Sequence, residues 1–157
     1  GMGRIGTAVA RKASYGFGMK VLGYRRNLPG DICADYGILT SDLDKVIRNS
    51  DFLSIHLPYT KDTFHLVSCE KLELMKPDAY LLNLGRGEVV DQAALRELLL
   101  SNRLAGAALD VFEGEILDAD DPLLHMDQVI ATPHIAGLSK QAMERLSYQA
   151  ALALQRC

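Results

Sequence analysis

Four short stretches of this sequence combine residue types that can do chemistry. GMGRIG (1–6) spaces three glycines as G-x-G-x-x-G, NLGRGEVVD carries Arg86, LDVFEGE carries Asp110 and Glu115, and ATPHIAG carries His134 and Gly137. Glycines at that spacing suit a phosphate when they follow a strand and open a helix. Gly1 permits the tight turn, Gly3 lets the backbone approach a pyrophosphate, and Gly6 lets the helix pack closely on the sheet. The helix that starts at Arg4 and Ile5 would then turn its free N–H groups and positive dipole end toward the phosphates. A plain strand-to-helix turn is the rival reading of the glycines, and only their context separates the two. Arginine, carboxylate and histidine are the residue types that bind an anion, orient an imidazole and move a proton.

The surrounding pattern supplies that context. Residues 4–15 read as a helix with Ile5, Val9 and Ala13 on one face, ended by the positive-φ capacity of Gly16 and Gly18. MKVLGYR (19–25) reads as a strand, SDLDKVIRNS (41–50) as a helix capped by Ser41, and DFLSIHLP (51–58) as a strand. SCEKLELMK is a short helix stopped by Pro77, and AYLLNLG (79–85) is a buried strand. DQAALRELLLSNR is a helix capped by Asp91, with Ala94, Leu95, Leu98 and Leu99 as its apolar stripe. LAGAALDVF (104–112) and QVIAT (128–132) are strands, and a last helix covers 138–156.

Apolar strands alternating with amphipathic helices imply an α/β fold, a doubly wound parallel sheet of Rossmann type covered on both faces. Five strands are expected after the glycines where six would complete a dinucleotide-binding sheet, and the sixth is expected just upstream of Gly1. In such sheets ligands bind beyond the carboxyl ends of the strands. Arg86, Asp110, Glu115 and His134 all follow strands, so they should converge on the glycine loop.

An acidic residue at the end of the second strand, about 20 residues after the glycines, would favour NAD. Arg25 and Arg26 stand there instead. An arginine pair suits the additional 2′-phosphate of NADP, and a pair of solvated loop arginines is the plain alternative.

Composition excludes several classes. The 157 residues are 48% hydrophobic and 24% charged, with a net charge of −3. There is no basic field for nucleic acid and no apolar run near the roughly 20 residues of a membrane span. Cys33, Cys69 and Cys157 form no CxxC pair, which points to reduced thiols in a cytoplasmic protein rather than a metal or disulfide framework. His65 and His125 match no motif and are expected on the solvated surface.

GMGRIG, SIHLPYTKDT, LLNLGRGEVVDQAALRELL, LAGAALDVFEGE and TPHIAG together resemble the D-isomer-specific 2-hydroxyacid dehydrogenases, over essentially the whole chain and in family order. The resemblance implies the NAD(P)-binding domain over residues 1–157, without the first strand and without the split substrate domain. It further implies hydride transfer between NAD(P)H and the C2 carbonyl of a small 2-oxo acid such as glyoxylate or hydroxypyruvate. Arg86 would bind the substrate carboxylate and polarise the carbonyl, His134 would give or take the proton, and Glu115 would orient His134. Glu113 is the rival for that last role, because Ile116 stands where the family has a proline.

In the same reading Asp110 lies near the nicotinamide carboxamide, and Leu84 and Gly85 flank the ring. His56, Leu57, Pro58 and Thr63 pass the adenine and ribose. The expected cofactor is NADP, with NAD the alternative, and a cytoplasmic homodimer is implied. The chain by itself is expected to be inactive. A phosphoglycerate or lactate dehydrogenase using NAD stays open, as does an NAD(H)-sensing corepressor of the same fold. A formate dehydrogenase does not fit, since that group carries glutamine where Glu115 stands.

Overall fold

Each strand of this protein is short, and each is followed by a turn that carries one of the residues singled out above. The computed structural model describes residues 1–26, 38–115 and 117–155. Helix α1 (Arg4–Phe17) leads to β1 (Val21–Gly23) and β2 (Ile38–Thr40), then to α2 (Leu43–Asn49) and β3 (Phe52–Ile55). A single turn, α3 (Cys69–Leu72), precedes β4 (Tyr80–Asn83), α4 (Gln92–Leu100) and β5 (Gly106–Leu109). Strand β6 (Val129–Ala131) and helix α5 (Lys140–Leu154) complete the described chain.

All strand pairs are parallel. β3, β4, β5 and β6 form one sheet in that order, with Leu53 opposite Leu81 and Leu81 opposite Ala107. One face of this sheet is buried, through Leu53, Ile55, Leu81, Ala107 and Leu109, whereas Phe52, Tyr80 and Ile130 stand exposed on the other. Ile47 of α2, Leu81 of β4, Leu95 and Leu99 of α4, Leu72 and Leu123 pack into one core with little or no exposed surface. The α4 stripe is as expected: Leu95, Leu98 and Leu99 are buried, and Asp91 caps the helix by accepting from the Ala94 amide at 3.0 Å.

Three expectations are corrected. The described chain has six strands rather than five, because β2 (Ile38–Thr40) is a three-residue strand in a stretch without alternation; it pairs with β1 as a separate ribbon. The cap of α2 is Asp42, which accepts from the Lys45 amide at 2.8 Å, so the helix starts one position later than a Ser41 cap requires. The buried face of α1 is Gly6 and Ala10, whereas Ile5 is 67% exposed. Small residues win this face because the helix lies close against the turn beneath it: a Cβ on Gly6 would stand 2.0 Å from the Gly1 carbonyl oxygen. Gly18, at φ 65, ends α1 as a left-handed C-cap, and Gly16 lies within the helix.

Strands β1 and β3 do not pair with each other, and each keeps one unpaired edge. Between them runs an apolar groove of about 1010 Å3, lined by Val9 and Ala13 of α1, Val21 and Leu22 of β1, and Leu53 and Ile55 of β3.

Candidate active site

The carboxyl ends of the strands gather the chemistry-bearing turns along one edge of the sheet. The glycine turn sits between two of them. The Met2 amide donates to the Tyr24 carbonyl just beyond β1, and a Cβ on Gly1 would meet the His56 carbonyl just beyond β3 at 2.9 Å. Gly3 is the N-cap of α1, with no side chain capping the first turn and nothing within 4 Å of where its Cβ would be. The first turn of a helix has no internal acceptors for the amides of Arg4, Ile5 and Gly6.

Next along the edge comes the turn after β4. Asn83 is 1% exposed and uses both ends of its side chain there. Its oxygen accepts from the Gly85 amide at 3.1 Å and its nitrogen donates to the Arg86 carbonyl at 3.0 Å. Gly85 is required by proximity, because a Cβ would lie 2.6 Å from the Leu57 carbonyl oxygen. Leu84 is exposed at the head of this turn, and its amide donates to the Ile55 carbonyl at 3.3 Å. Among the described residues the exposed Arg86 side chain donates once, from Nη1 to the Gly85 carbonyl at 2.7 Å. Its other donors stay available for an anion.

Asp110 follows β5 and is 5% exposed. It accepts from the Thr132 hydroxyl at 2.6 Å and from the Ile135 and Ala136 amides at 2.8 and 2.9 Å. Burial alone would raise the pKa of this carboxyl. The Thr132 hydroxyl, the two amides and the positive charge of His134 together outweigh burial and hold it below the usual aspartate range. The carboxylate thus fastens the turn that carries His134, whose imidazole is exposed and whose backbone sits at φ 55. Gly137 lies on the far side of this turn in open space.

Glu115 is also exposed and left-handed, at φ 65, with its amide donating to the Phe112 carbonyl at 3.1 Å. No hydrogen bond or ion pair joins it to His134 among the described residues. Its rival Glu113 is engaged elsewhere, with its carboxylate oxygen 3.0 Å from His65 Nε2.

The segment after β3 is organised by its own side chains. Thr63 is buried and donates its hydroxyl to the Pro58 carbonyl at 2.7 Å while accepting from the Thr60 amide at 2.8 Å. Its hydroxyl ties the loop together through these bonds. His56 is half-buried against Ser54 Oγ at 2.9 Å, and its Nδ1 is buried without a partner. Burial pushes this imidazole's pKa down. At the end of β1 the two arginines differ. Arg26 pairs with Asp62 at 2.8 Å across the surface, and Arg25 has no side-chain partner among the described residues.

Comparison with known proteins agrees with this layout. Residues 1–136 match the family model described as D-isomer specific 2-hydroxyacid dehydrogenase, NAD binding domain. The chain belongs to the D-isomer-specific 2-hydroxyacid dehydrogenases. It is 45% identical over 147 residues to a glyoxylate reductase of Korarchaeum cryptofilum, covering 94% of this chain and 44% of that protein. It is 46% identical over 141 residues to glyoxylate/hydroxypyruvate reductase B of Pectobacterium carotovorum, again over 90% of this chain and 44% of the relative. The D-lactate dehydrogenase of Aquifex aeolicus, solved with NAD and lactic acid, superposes with a TM-score of 0.88 at 36% identity, over 99% of this chain and 50% of that one. The chain therefore spans about half the length of the proteins it matches.

The residues of this dehydrogenase domain fit the nicotinamide dinucleotide its family binds. The open space above Gly3 and the uncapped start of α1 leave room for a pyrophosphate. One contributor to the site was missed from the sequence, and the packing role of another, Gly87 beside Arg86, was not legible there. Asn83 reads there as one more strand residue, although an asparagine ahead of Gly85 and Arg86 signals a turn. Gly87 gives no hint that it lies against another loop, yet a Cβ there would stand 2.0 Å from the Phe112 carbonyl carbon and oxygen. A further expectation is corrected: His65 is half-buried and paired rather than solvated. His125 is exposed and its Nε2 lies 2.9 Å from the Ala119 carbonyl oxygen.

Proposed function

We propose that the protein carrying this chain reduces the C2 carbonyl of a small 2-oxo acid, of the glyoxylate or hydroxypyruvate class, and oxidises the matching D-2-hydroxy acid in reverse. The observation that carries this reading is the exposed Arg86 guanidinium on a turn fixed by Asn83, on the same strand-end edge as the His134 turn fixed by Asp110. Arg86 binds the substrate carboxylate through the donors its own backbone leaves unused and polarises the neighbouring carbonyl. Protonated His134 hydrogen-bonds the carbonyl oxygen and gives it a proton; in the oxidation direction the neutral imidazole takes that proton back. Glu115 stabilises the imidazolium once its exposed side chain swings toward His134. The dinucleotide, when bound, supplies the hydride.

Gly1, Gly3, Arg4, Ile5 and Gly6 hold the pyrophosphate in this reading. Leu57, Pro58 and His56 pass the adenosine, and Leu84, Gly85 and Gly137 border the nicotinamide. Arg25 and Arg26 favour NADP. The groove between β1 and β3 supports a further parallel strand from sequence upstream of Gly1, with the substrate domain also outside this chain. A cytoplasmic homodimer belongs to the same reading, and sedimentation of the complete protein tests the dimer.

The deciding experiment follows NADPH and NADH absorbance in the complete protein with glyoxylate, hydroxypyruvate, pyruvate and phosphohydroxypyruvate. Faster NADPH oxidation with any of them supports the whole reading. Binding of both nucleotides without oxidation of either would instead favour a nucleotide-sensing module.

A further inference from the structure

We propose that His65 and Glu113 form a strut that positions the Arg86 and Glu115 turns for the oxo acid. The inference rests on the reductase reading for its effect on turnover, but the strut itself stands on geometry. Three loops meet at this point: the one after β3, the one after β4 and the one after β5. His65 touches both of the others. Its amide donates to the Glu88 carbonyl at 2.8 Å, two residues after Arg86, and its Nε2 stands 3.0 Å from Glu113 Oε1, two residues before Glu115.

The arrangement is built rather than incidental. His65 takes φ 45, a left-handed backbone that disfavours a residue of this size unless its surroundings fix it. Its ring stacks on Phe64 with centroids 4.0 Å apart, and Phe64 in turn meets Tyr59 edge-on. Glu113 is fixed from its other side, where its amide donates to the Gln92 side-chain oxygen at 2.9 Å at the start of α4. The two turns also touch directly, since the absent Cβ of Gly87 leaves room for the Phe112–Glu113 peptide.

Only Gly114, at φ 80, separates Glu113 from Glu115. A shift at Glu113 therefore passes to Glu115 along the backbone, while a shift at His65 passes through the Glu88 carbonyl to the Arg86 turn. Misplacing a catalytic group by about 1 Å can cost two orders of magnitude in rate. His65 and Glu113 need not contact substrate for their loss to slow the reaction.

The test uses the complete protein with His65→Phe, which keeps the ring stack and removes the contact to Glu113. Amide hydrogen exchange at residues 113–115 is expected to rise about tenfold, with the amides of β3 and β4 unchanged. On 2-oxo acid, kcat is expected to fall about tenfold while the cofactor dissociation constant stays within about twofold. His65→Gln, which keeps a donor of similar reach, should recover most of kcat. Glu113→Ala combined with His65→Phe should be no worse than either alone. Unchanged exchange at 113–115 overturns the strut, as does a kcat that stays at the wild-type value. Should the wild-type protein reduce no 2-oxo acid at all, the reductase reading falls and the exchange measurement still decides the strut.

Discussion

The Asp110 carboxylate accepts from the Thr132 hydroxyl at 2.6 Å, and through this bond and two main-chain amides β5 holds the turn that presents His134. All three donors are directed at one side chain, so Asp110 fixes the backbone of the turn that carries His134.

Replacing Asp110 by Asn sets a side-chain NH2 against at least one of these donors. Leaving a buried donor unmatched costs about 1–3 kcal/mol, and the His134 turn should loosen. The expected outcome is a lowered melting temperature together with a drop in kcat. The pH dependence follows from the direction of the shift. The folded pKa lies below the unfolded value of 3.8, so the contribution to stability is complete above that value and is lost as pH falls through the folded one. Denaturant unfolding from pH 6 to pH 2.5 should show the wild type losing its advantage over Asp110→Asn only at the acid end. A constant gap would show that the charge contributes nothing.

The alternation of apolar strands and amphipathic helices was enough to read the parallel sheet, the α4 stripe and the Asp91 cap, because a buried face leaves few alternatives to apolar side chains. β1 was legible within the apolar run of residues 19–25, but β2 was not, because no periodicity survives over three residues. The site residues were legible as types at strand ends, but their pairings were not. Nothing local says that Asp110 reaches over to Thr132, that Thr63 turns back to Pro58, or that His65 meets Glu113 across 48 positions. Such contacts are set by how loops from separate strands converge, which is tertiary information.

Gly87→Ala tests how closely the Arg86 and Glu115 turns must approach. The new methyl would meet main-chain atoms of Phe112 and Glu113 at 2.0 and 2.4 Å, and main chain cannot step aside as a flexible side chain can. Overpacking of this kind costs about 1–3 kcal/mol. Activity should fall further than stability, because relief comes from separating the two turns. Equal activity in the variant at a temperature well below its unfolding would show that their spacing does not matter.

The glycines of the opening turn should separate into a folding role and a binding role. Gly6→Ala drives a methyl to 2.0 Å from the Gly1 carbonyl oxygen and should destabilise the protein even without nucleotide. Gly3→Ala meets nothing within 4 Å and should leave the nucleotide-free melting temperature nearly unchanged. Its methyl would occupy the space through which a pyrophosphate approaches the helix amides. Added NADPH should then raise the melting temperature of wild type and not of Gly3→Ala. A normal shift in that variant would mean that the phosphates lie elsewhere.

The arginines after β1 should set cofactor preference unequally. Among the described residues Arg25 has no side-chain partner, whereas Arg26 already donates from Nη1 to Asp62, which also raises its pKa through that hydrogen bond and the adjacent negative charge. A guanidinium carries further donors, so Arg26 can hold Asp62 and a 2′-phosphate together, each as a charge-assisted contact. Replacing both arginines by Ala should weaken NADPH binding by about one to two orders of magnitude and leave NADH binding nearly unchanged. The wild-type preference should also decline as salt rises, because the contacts that create it are exposed to solvent and screened within roughly 10 Å. Asp62→Asn separates the two arginines further. It releases Arg26 without removing it, so NADPH affinity should hold or tighten, and a loss there would mean that Asp62 aims the guanidinium at the phosphate. Calorimetric titration of NADPH, NADH and 2′,5′-ADP against the three proteins measures each of these effects. Equal loss of NADPH and NADH in the double variant would remove the 2′-phosphate from the role of these residues.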